Sequence, residues 1–362
     1  MKNLSLVQKS SMPRIVFPDH WRAGANVHTD AATEEAIAWM KAHGMGCTPE
    51  EEDLLQKFCC GHFSGYAVPY TNYGRYLIIT EFLTLWLFWD DYEVETAERA
   101  ATGELYAAIT GERLPAGASR YITAWYELGR RLRLTQSRDW SARLGKTMHQ
   151  WLAVSRIETE RAREQQRSGR SMDLEGYLGR RVISIGMYPM FHLLEYTEGC
   201  ELGALHAHPV VKALELLASR LVALDNDLLS LGKDMAHAWP NAVTVLSAHQ
   251  GLPMREAFAR VVAMHRRDVA RFDELAEDLI DEMREDERKN ESLRRWVQAV
   301  RYAVHGFAVW ESMASRYRQY RAVVDGEALA TQIAYERAAE PDPGQDAALA
   351  GIPSRSVWPV AA

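Results

Sequence analysis

The sequence predicts an all-α fold, and three observations carry the prediction. From about residue 25 to residue 320 apolar side chains keep returning at spacings of three and four, the period of a helix face. No stretch alternates at period two between hairpin-type turns. No Pro/Gly/Ser-rich linker interrupts residues 25–320, which favours one large domain over two. The chain divides into an irregular N-terminal segment (1–20), a helical domain (21–320) and a C-terminal extension (321–362). The extension turns flexible from about residue 338, where Glu-Pro-Asp-Pro-Gly gives way to mostly Ala, Gly, Ser and Pro.

Taken in order, Asp30 precedes the amphipathic run AATEEAIAWMKAH, which stops at Gly44 as a capped helix does. Thr48-Pro49-Glu50-Glu51 joins a capping box to a proline at the first helical position, so a second helix carries Leu54, Leu55 and Phe58. The run Tyr76–Trp89 is apolar on nearly every side, the mark of a helix buried all round. In Arg180–Pro189, Gly186 and Pro189 interrupt an apolar helical pattern and predict a kink or break, either a plain packing kink or one that frees carbonyl oxygens toward a cavity. Leu214, Leu217, Leu221, Leu224, Leu228 and Leu231 form one stripe of a later helix.

Composition narrows the function classes. The 362 residues are 47% hydrophobic and 25% charged, which disfavours disorder, collagen-like repeats and disulfide scaffolds. With 42 Lys+Arg against 49 Asp+Glu the net charge is −7, so no global basic field draws nucleic acid or an anionic membrane. Cys47, Cys59, Cys60 and Cys200 lack C-x-x-C spacing, which fits reduced thiols and makes zinc an unattractive reading. Tyr76–Trp89 is too short for a membrane span and is interrupted by Thr80, Glu81 and Thr84. The N-terminus shows no signal-peptide run, so a cytoplasmic protein is expected, with a homodimer left open. The 11 Trp and 15 Tyr are bulky, rigid side chains of the kind that lines apolar pockets.

Two acidic clusters stand out. Trp89-Asp90-Asp91-Tyr92-Glu93-Val94-Glu95 closes the apolar run, with Asp91 and Glu95 four apart on one helix face and Asp90 beside them. It is either a helix end emerging into solvent or, given its apolar flank, a set of buried carboxylates in need of a cation or base. The second is Asn226-Asp227-Leu228-Leu229-Ser230-Leu231-Gly232-Lys233-Asp234, in which Asn226, Ser230 and Asp234 recur every four residues. This is either the polar side of an amphipathic helix or an oxygen-donor set suited to Mg²⁺. Val222, Ala223 and Leu229 flank that stripe with apolar groups, which a solvated face would not need.

With the pair D-D-x-x-x-E and N-D-x-x-S-x-x-K-D in this order, the chain resembles the microbial class I terpene synthases. Arg180 or Arg181, in Tyr-Leu-Gly-Arg-Arg, matches the position of the family's diphosphate-sensing arginine, and Arg316-Tyr317 matches its late Arg-Tyr pair. The resemblance implies a single helical bundle around a central apolar cavity, a prenyl diphosphate substrate and three Mg²⁺ ions. Asp90 would bind two ions and Asn226, Ser230 and Asp234 the third, with Glu95 a weaker ligand because the commoner spacing falls on Val94. Arg180 (or Arg181), Lys233, Arg316 and Tyr317 would hold the diphosphate, and Asp91 would orient an arginine. The helix break would couple the sensing arginine to an effector carbonyl near Ile183, Ser184 and Gly186.

The implied reaction is Mg²⁺-dependent ionisation and cyclisation of a linear prenyl diphosphate. Farnesyl diphosphate is favoured over geranylgeranyl diphosphate because Trp86 and Trp89 would narrow the pocket. Phe63, Trp86, Phe88, Trp89, Tyr188, Phe191 and Trp310 are the aromatic candidates for stabilising an allylic cation, a minority of them in contact with substrate. The rivals are a chain-elongating prenyltransferase, against which the Asn/Ser/Asp second motif speaks, and a non-catalytic helical scaffold.

Overall fold

The computed structural model of the chain describes residues 14–58, 60–91, 102–168, 172–324, 327–329 and 332–336, and these are overwhelmingly helical. Helix α1 (Thr29–Ala42) starts one residue before Asp30, which therefore sits in the first turn, where its charge favours the helix dipole. Helix α2 (Pro49–Phe58) begins at the expected proline. Thr48 Oγ1 accepts from Glu51 N at 3.2 Å, but Glu51 reaches back to Cys47 N rather than to Thr48. After α3 (Cys60–Ala67) comes α4 (Tyr73–Trp89), capped by Asn72.

Helix α4 is buried on almost every side, as its sequence predicts. Its polar interruptions are absorbed locally: the Thr80 and Thr84 hydroxyls donate to the carbonyls of Tyr76 and Thr80, and Glu81 pairs with Arg131. Burial pushes Glu81 up to about 7 despite Arg131. Fully burying each large apolar side chain contributes about 1.5–3 kcal/mol, so this helix anchors the core.

The bundle continues through α5 (Thr102–Ile109), α6 (Arg120–Leu132), α7 (Arg138–Ser168), α8 (Leu174–Ser184), α9 (Met187–Glu198) and α10 (Pro209–His237). It closes with α11 (Ala242–Gln250), α12 (Met254–Glu282), α13 (Glu287–Met313) and the short α14 (Ser315–Arg318). No described helix is long and apolar enough to cross a membrane. The break at residues 185–186 belongs to Gly186, whose φ of +86° lies in the left-handed region. Pro189 falls in the first turn of α9, where a missing N–H costs little.

Short strands stand at both ends of the described chain, one of them inside the N-terminal segment that the sequence reads as irregular. Residues Ile15–Pro18 form β1, which pairs in parallel with β4 (Ile333–Glu336). Ala322–Val324 (β2) and Glu327–Leu329 (β3) make an antiparallel pair. Ile15 and Phe17 are fully buried, with Phe17 edge-on to His265 and His305 at 5.2 and 5.5 Å. Period-two alternation has no room to show itself in strands of three or four residues. The stretch from residue 338 onward lies outside the described residues.

Candidate active site

Helices α3, α4, α7, α8, α9 and α10 and the α13–α14 corner line a cavity of about 410 Å³. From α4 come Leu83, Trp86, Leu87 and Asp90, which recur at three- and four-residue spacing and so form one face. Helix α7 contributes Trp151, Ser155 and Glu158, and α8 contributes Tyr177, Arg180, Arg181 and Ser184. Helix α10 presents Val222, Asn226, Ser230 and Asp234, with Lys233 beside them. Phe63 of α3, Met187 and Met190 of α9, Phe307, Trp310 and Glu311 of α13, and Arg316 and Tyr317 of α14 line the rest of the wall.

The polar groups are heavily cross-linked. Arg181 Nη2 donates to Asn226 Oδ1 at 2.5 Å and Nε to Asp227 Oδ1 at 3.2 Å. Asn226 Nδ2 donates to Glu311 Oε1 at 2.6 Å and faces the Tyr317 hydroxyl at 3.2 Å. Ser230 Oγ donates to Asp234 Oδ2, which also accepts from Asn241 Nδ2 at 2.8 Å. Arg316 Nη2 donates to Asp91 Oδ1 at 3.1 Å. The Lys233 ammonium lies 5.8 Å from the centre of the Tyr317 ring.

Burial governs the electrostatics. It raises the Asp234 carboxyl, helped by the nearby Asp227 charge, and pushes Glu311 up to about 8 against the opposing Asn226 hydrogen bond. Burial likewise raises Glu158, although Arg181 and Ser184 pull it down. A divalent cation reverses such shifts by favouring the ionised forms. The donor set suits one: carboxylate, amide and hydroxyl oxygens converge on the cavity, and Glu311 Oε2 is buried without a hydrogen-bond partner among the described residues.

The candidates from the sequence separate clearly. Asp90, Asn226, Ser230, Asp234, Arg180, Arg181, Lys233, Arg316 and Tyr317 all line the cavity. Arg181 is tied to Asp227 and Asn226, whereas Arg180 contacts the Met172 thioether. Glu95 lies outside the described residues. Ser184 and Gly186 are on the wall but Ile183 is not; its carbonyl accepts from Gly186 N at 3.2 Å. The Ser184 carbonyl accepts from Trp151 Nε1 at 3.0 Å.

Of the aromatic candidates, Phe63, Trp86 and Trp310 reach the cavity. Phe88, Trp89, Tyr188 and Phe191 instead pack behind it, against Tyr121, Trp125 and Trp296 among others. A helix that is apolar all round does not disclose which face meets the void, so Phe88 and Trp89 could not be told from Trp86 by pattern alone. Gly186 makes the contrast concrete: a Cβ there would lie 3.0 Å from the Trp86 ring.

The sequence reading passed over several residues. Asp227 is 1% exposed and accepts from the Tyr177 hydroxyl and Ala242 N as well as Arg181, which makes it the organiser of this corner. Its place beside Asn226 was the available signal. Trp151, Ser155 and Glu158 share a helix face by spacing, but nothing in a long amphipathic helix marks that face as a cavity wall. Glu311 follows Trp310 directly and carried no motif of its own.

Comparison with known proteins bears on the family and the fold. A family model described as terpene synthase family 2, C-terminal metal binding, matches residues 81–271. Spiroviolene synthase of Streptomyces violens is 26% identical over 340 residues, covering 90% of each chain. The (+)-T-muurolol synthase of Roseiflexus castenholzii, named as cyclising (2E,6E)-farnesyl diphosphate, is 25% identical over 84% of this chain and 93% of its own. Among solved structures, a single-site variant of cucumene synthase aligns with a TM-score of 0.70 and 24% identity over 82% of this chain and 99% of that one. Hedycaryol synthase in complex with nerolidol gives 0.70 and 21% over 83% and 99%; at these identities the likeness speaks for the all-α fold. The family match spans just over half of the chain, which therefore belongs to the metal-binding terpene synthase family and is a terpene cyclase, a lyase acting on a prenyl diphosphate.

Proposed function

We propose that the protein ionises and cyclises farnesyl diphosphate with Mg²⁺, releasing diphosphate. The observation that carries this reading is the division of one cavity into an oxygen-donor and cationic rim and an aromatic interior. Asp90, Asn226, Ser230 and Asp234 would hold three Mg²⁺ ions, which when bound supply positive charge to the diphosphate oxygens. Arg180, Lys233, Arg316 and Tyr317 donate hydrogen bonds to the same oxygens, the arginines through planar forks able to bind in two-point fashion. Asp91 holds Arg316 in position for this. As the carbon–oxygen bond breaks, the electron pair leaves with diphosphate and an allylic cation remains.

Trp86, Trp310, Phe63 and Phe307 line the cavity; they keep water from that cation, and a ring face presented to it is worth about 2 kcal/mol or more when desolvated. Their bulk also supports the shorter substrate over geranylgeranyl diphosphate, as does the farnesyl diphosphate named for the T-muurolol relative. The test is incubation of purified protein with geranyl, farnesyl and geranylgeranyl diphosphate, with and without Mg²⁺, followed by mass spectrometry of the extract. A cyclic hydrocarbon or alcohol from farnesyl diphosphate is expected. Absence of Mg²⁺-dependent diphosphate release from all three would sink the proposal, and cyclisation of geranylgeranyl diphosphate alone would replace the substrate.

A further inference from the structure

We propose that Glu311 is a positioning residue that selects which end of the Asn226 amide is offered to the metal. The inference rests on the reading of Asn226 as a metal ligand. A primary amide has two N–H donors on one side and a carbonyl oxygen with two lone pairs on the other, and exchanging the two ends costs nothing unless the neighbours object. Here the neighbours object. Asn226 Nδ2 faces two oxygens, Glu311 Oε1 at 2.6 Å and the Tyr317 hydroxyl at 3.2 Å, while Arg181 Nη2 donates to Oδ1 at 2.5 Å.

A flipped amide would set its carbonyl oxygen against Glu311 and its N–H groups against a guanidinium that only donates. Oε1 accepts from Asn226 Nδ2, and Oε2 is the oxygen without a partner among the described residues. Glu311 is 4% exposed, so water cannot take over its part. Held this way, Asn226 has both N–H groups engaged and spends one Oδ1 lone pair on Arg181. The second lone pair is left for a cation. Glu311 acts across the α10–α13 seam, through Asn226 rather than on substrate.

The test uses the full chain. Mg²⁺ is titrated by calorimetry in the presence of inorganic diphosphate, and the Mg²⁺ concentration for half-maximal turnover of farnesyl diphosphate is measured alongside. Glu311→Met, which removes the acceptor, is expected to raise both midpoints about tenfold or more. Glu311→Gln keeps an acceptor oxygen in place and is expected to stay within about threefold of wild type. The deciding variant is the double substitution Asn226→Asp with Glu311→Met. A carboxylate has no wrong end, so the double variant should bind Mg²⁺ more tightly than Asn226→Asp alone, which sets two carboxyls against each other. Unchanged Mg²⁺ midpoints in Glu311→Met, or an equal loss from Glu311→Met in the wild-type and Asn226→Asp backgrounds, would overturn the inference. A wild-type protein that binds Mg²⁺ and diphosphate but turns over no prenyl diphosphate would defeat the proposed reaction and leave this inference standing. Absence of Mg²⁺ binding by the wild type would defeat both.

Discussion

Helix α10 carries two buried polar clusters that look alike in sequence and differ in kind. Near its start, Glu215 accepts from His206 Nδ1 at 3.0 Å and from Lys212. His206 Nε2 lies 3.0 Å from Glu195 Oε1, whose carboxylate also takes Leu202 N and His192 Nδ1. Eleven residues on from Glu215, about 16 Å along the helix, Asn226 begins the stripe that ends in Asp234. The first cluster lies off the wall of the cavity, and its charges are answered inside the protein. The second faces the cavity and retains oxygens with capacity to spare. Acidic residues near histidine, arginine or lysine are common to both, so composition does not distinguish a structural ion network from a site. Uncommitted lone pairs facing a void do.

Four measurements would break or sharpen that contrast. Asp90→Ala or Asn226→Ala should lower Mg²⁺-dependent diphosphate release by about a thousandfold, roughly 4 kcal/mol in transition-state free energy, with circular dichroism and thermal midpoint little changed. Unchanged turnover would remove the metal role from that residue. Glu195→Ala should behave in the opposite manner, costing about 3 kcal/mol of stability in denaturant unfolding because it strands buried His206, while activity per folded molecule persists. Gly186→Ala should cost about 1–2 kcal/mol for its left-handed backbone and press on Trp86, shifting the product ratio; identical products would place Trp86 away from the substrate.

The smallest effect is in pH. Burial lowers the His206 pKa, but Glu195 and Glu215 raise it further, leaving it above 6.5. The contribution of His206 is therefore whole below pH 6.5 and lost as pH rises through the folded value. Glu195 is raised by burial and lowered more by His192 and His206, to about 2, so its contribution is whole above pH 4.5 and fades as pH falls toward 2. Thermal stability should peak between these limits, and His206→Gln should flatten the alkaline side; an unaltered pH profile would show that the network carries no linkage.

Much of the cavity rim was legible in advance because its signals are local. The spacing of Asn226, Ser230 and Asp234 puts three oxygen-bearing side chains along one helix stripe wherever that helix packs. Gly186 breaks α8 from α9 because a left-handed turn favours a residue without Cβ. The all-α class followed from periodicity sustained from about residue 25 to residue 320. Strands β1 and β4 escaped because their pairing joins residues 15–18 to 333–336, and no local window contains both partners.

The sequence alone determined the helices, their breaks and the residue types available at the rim, since these depend on neighbours a few positions away. The tertiary structure decided which side of each buried helix meets the cavity. It set Trp86, Trp151 and Phe307 on the wall and Phe88, Trp89, Tyr188 and Phe191 behind it. It also brought Glu311 to Asn226 across 85 residues of chain. A hydrophobic side chain leaves the same periodic mark in sequence whether it packs in the core or lines a cavity, and a hydrogen bond between distant helices leaves no periodic trace, so both outcomes had to wait for the packing.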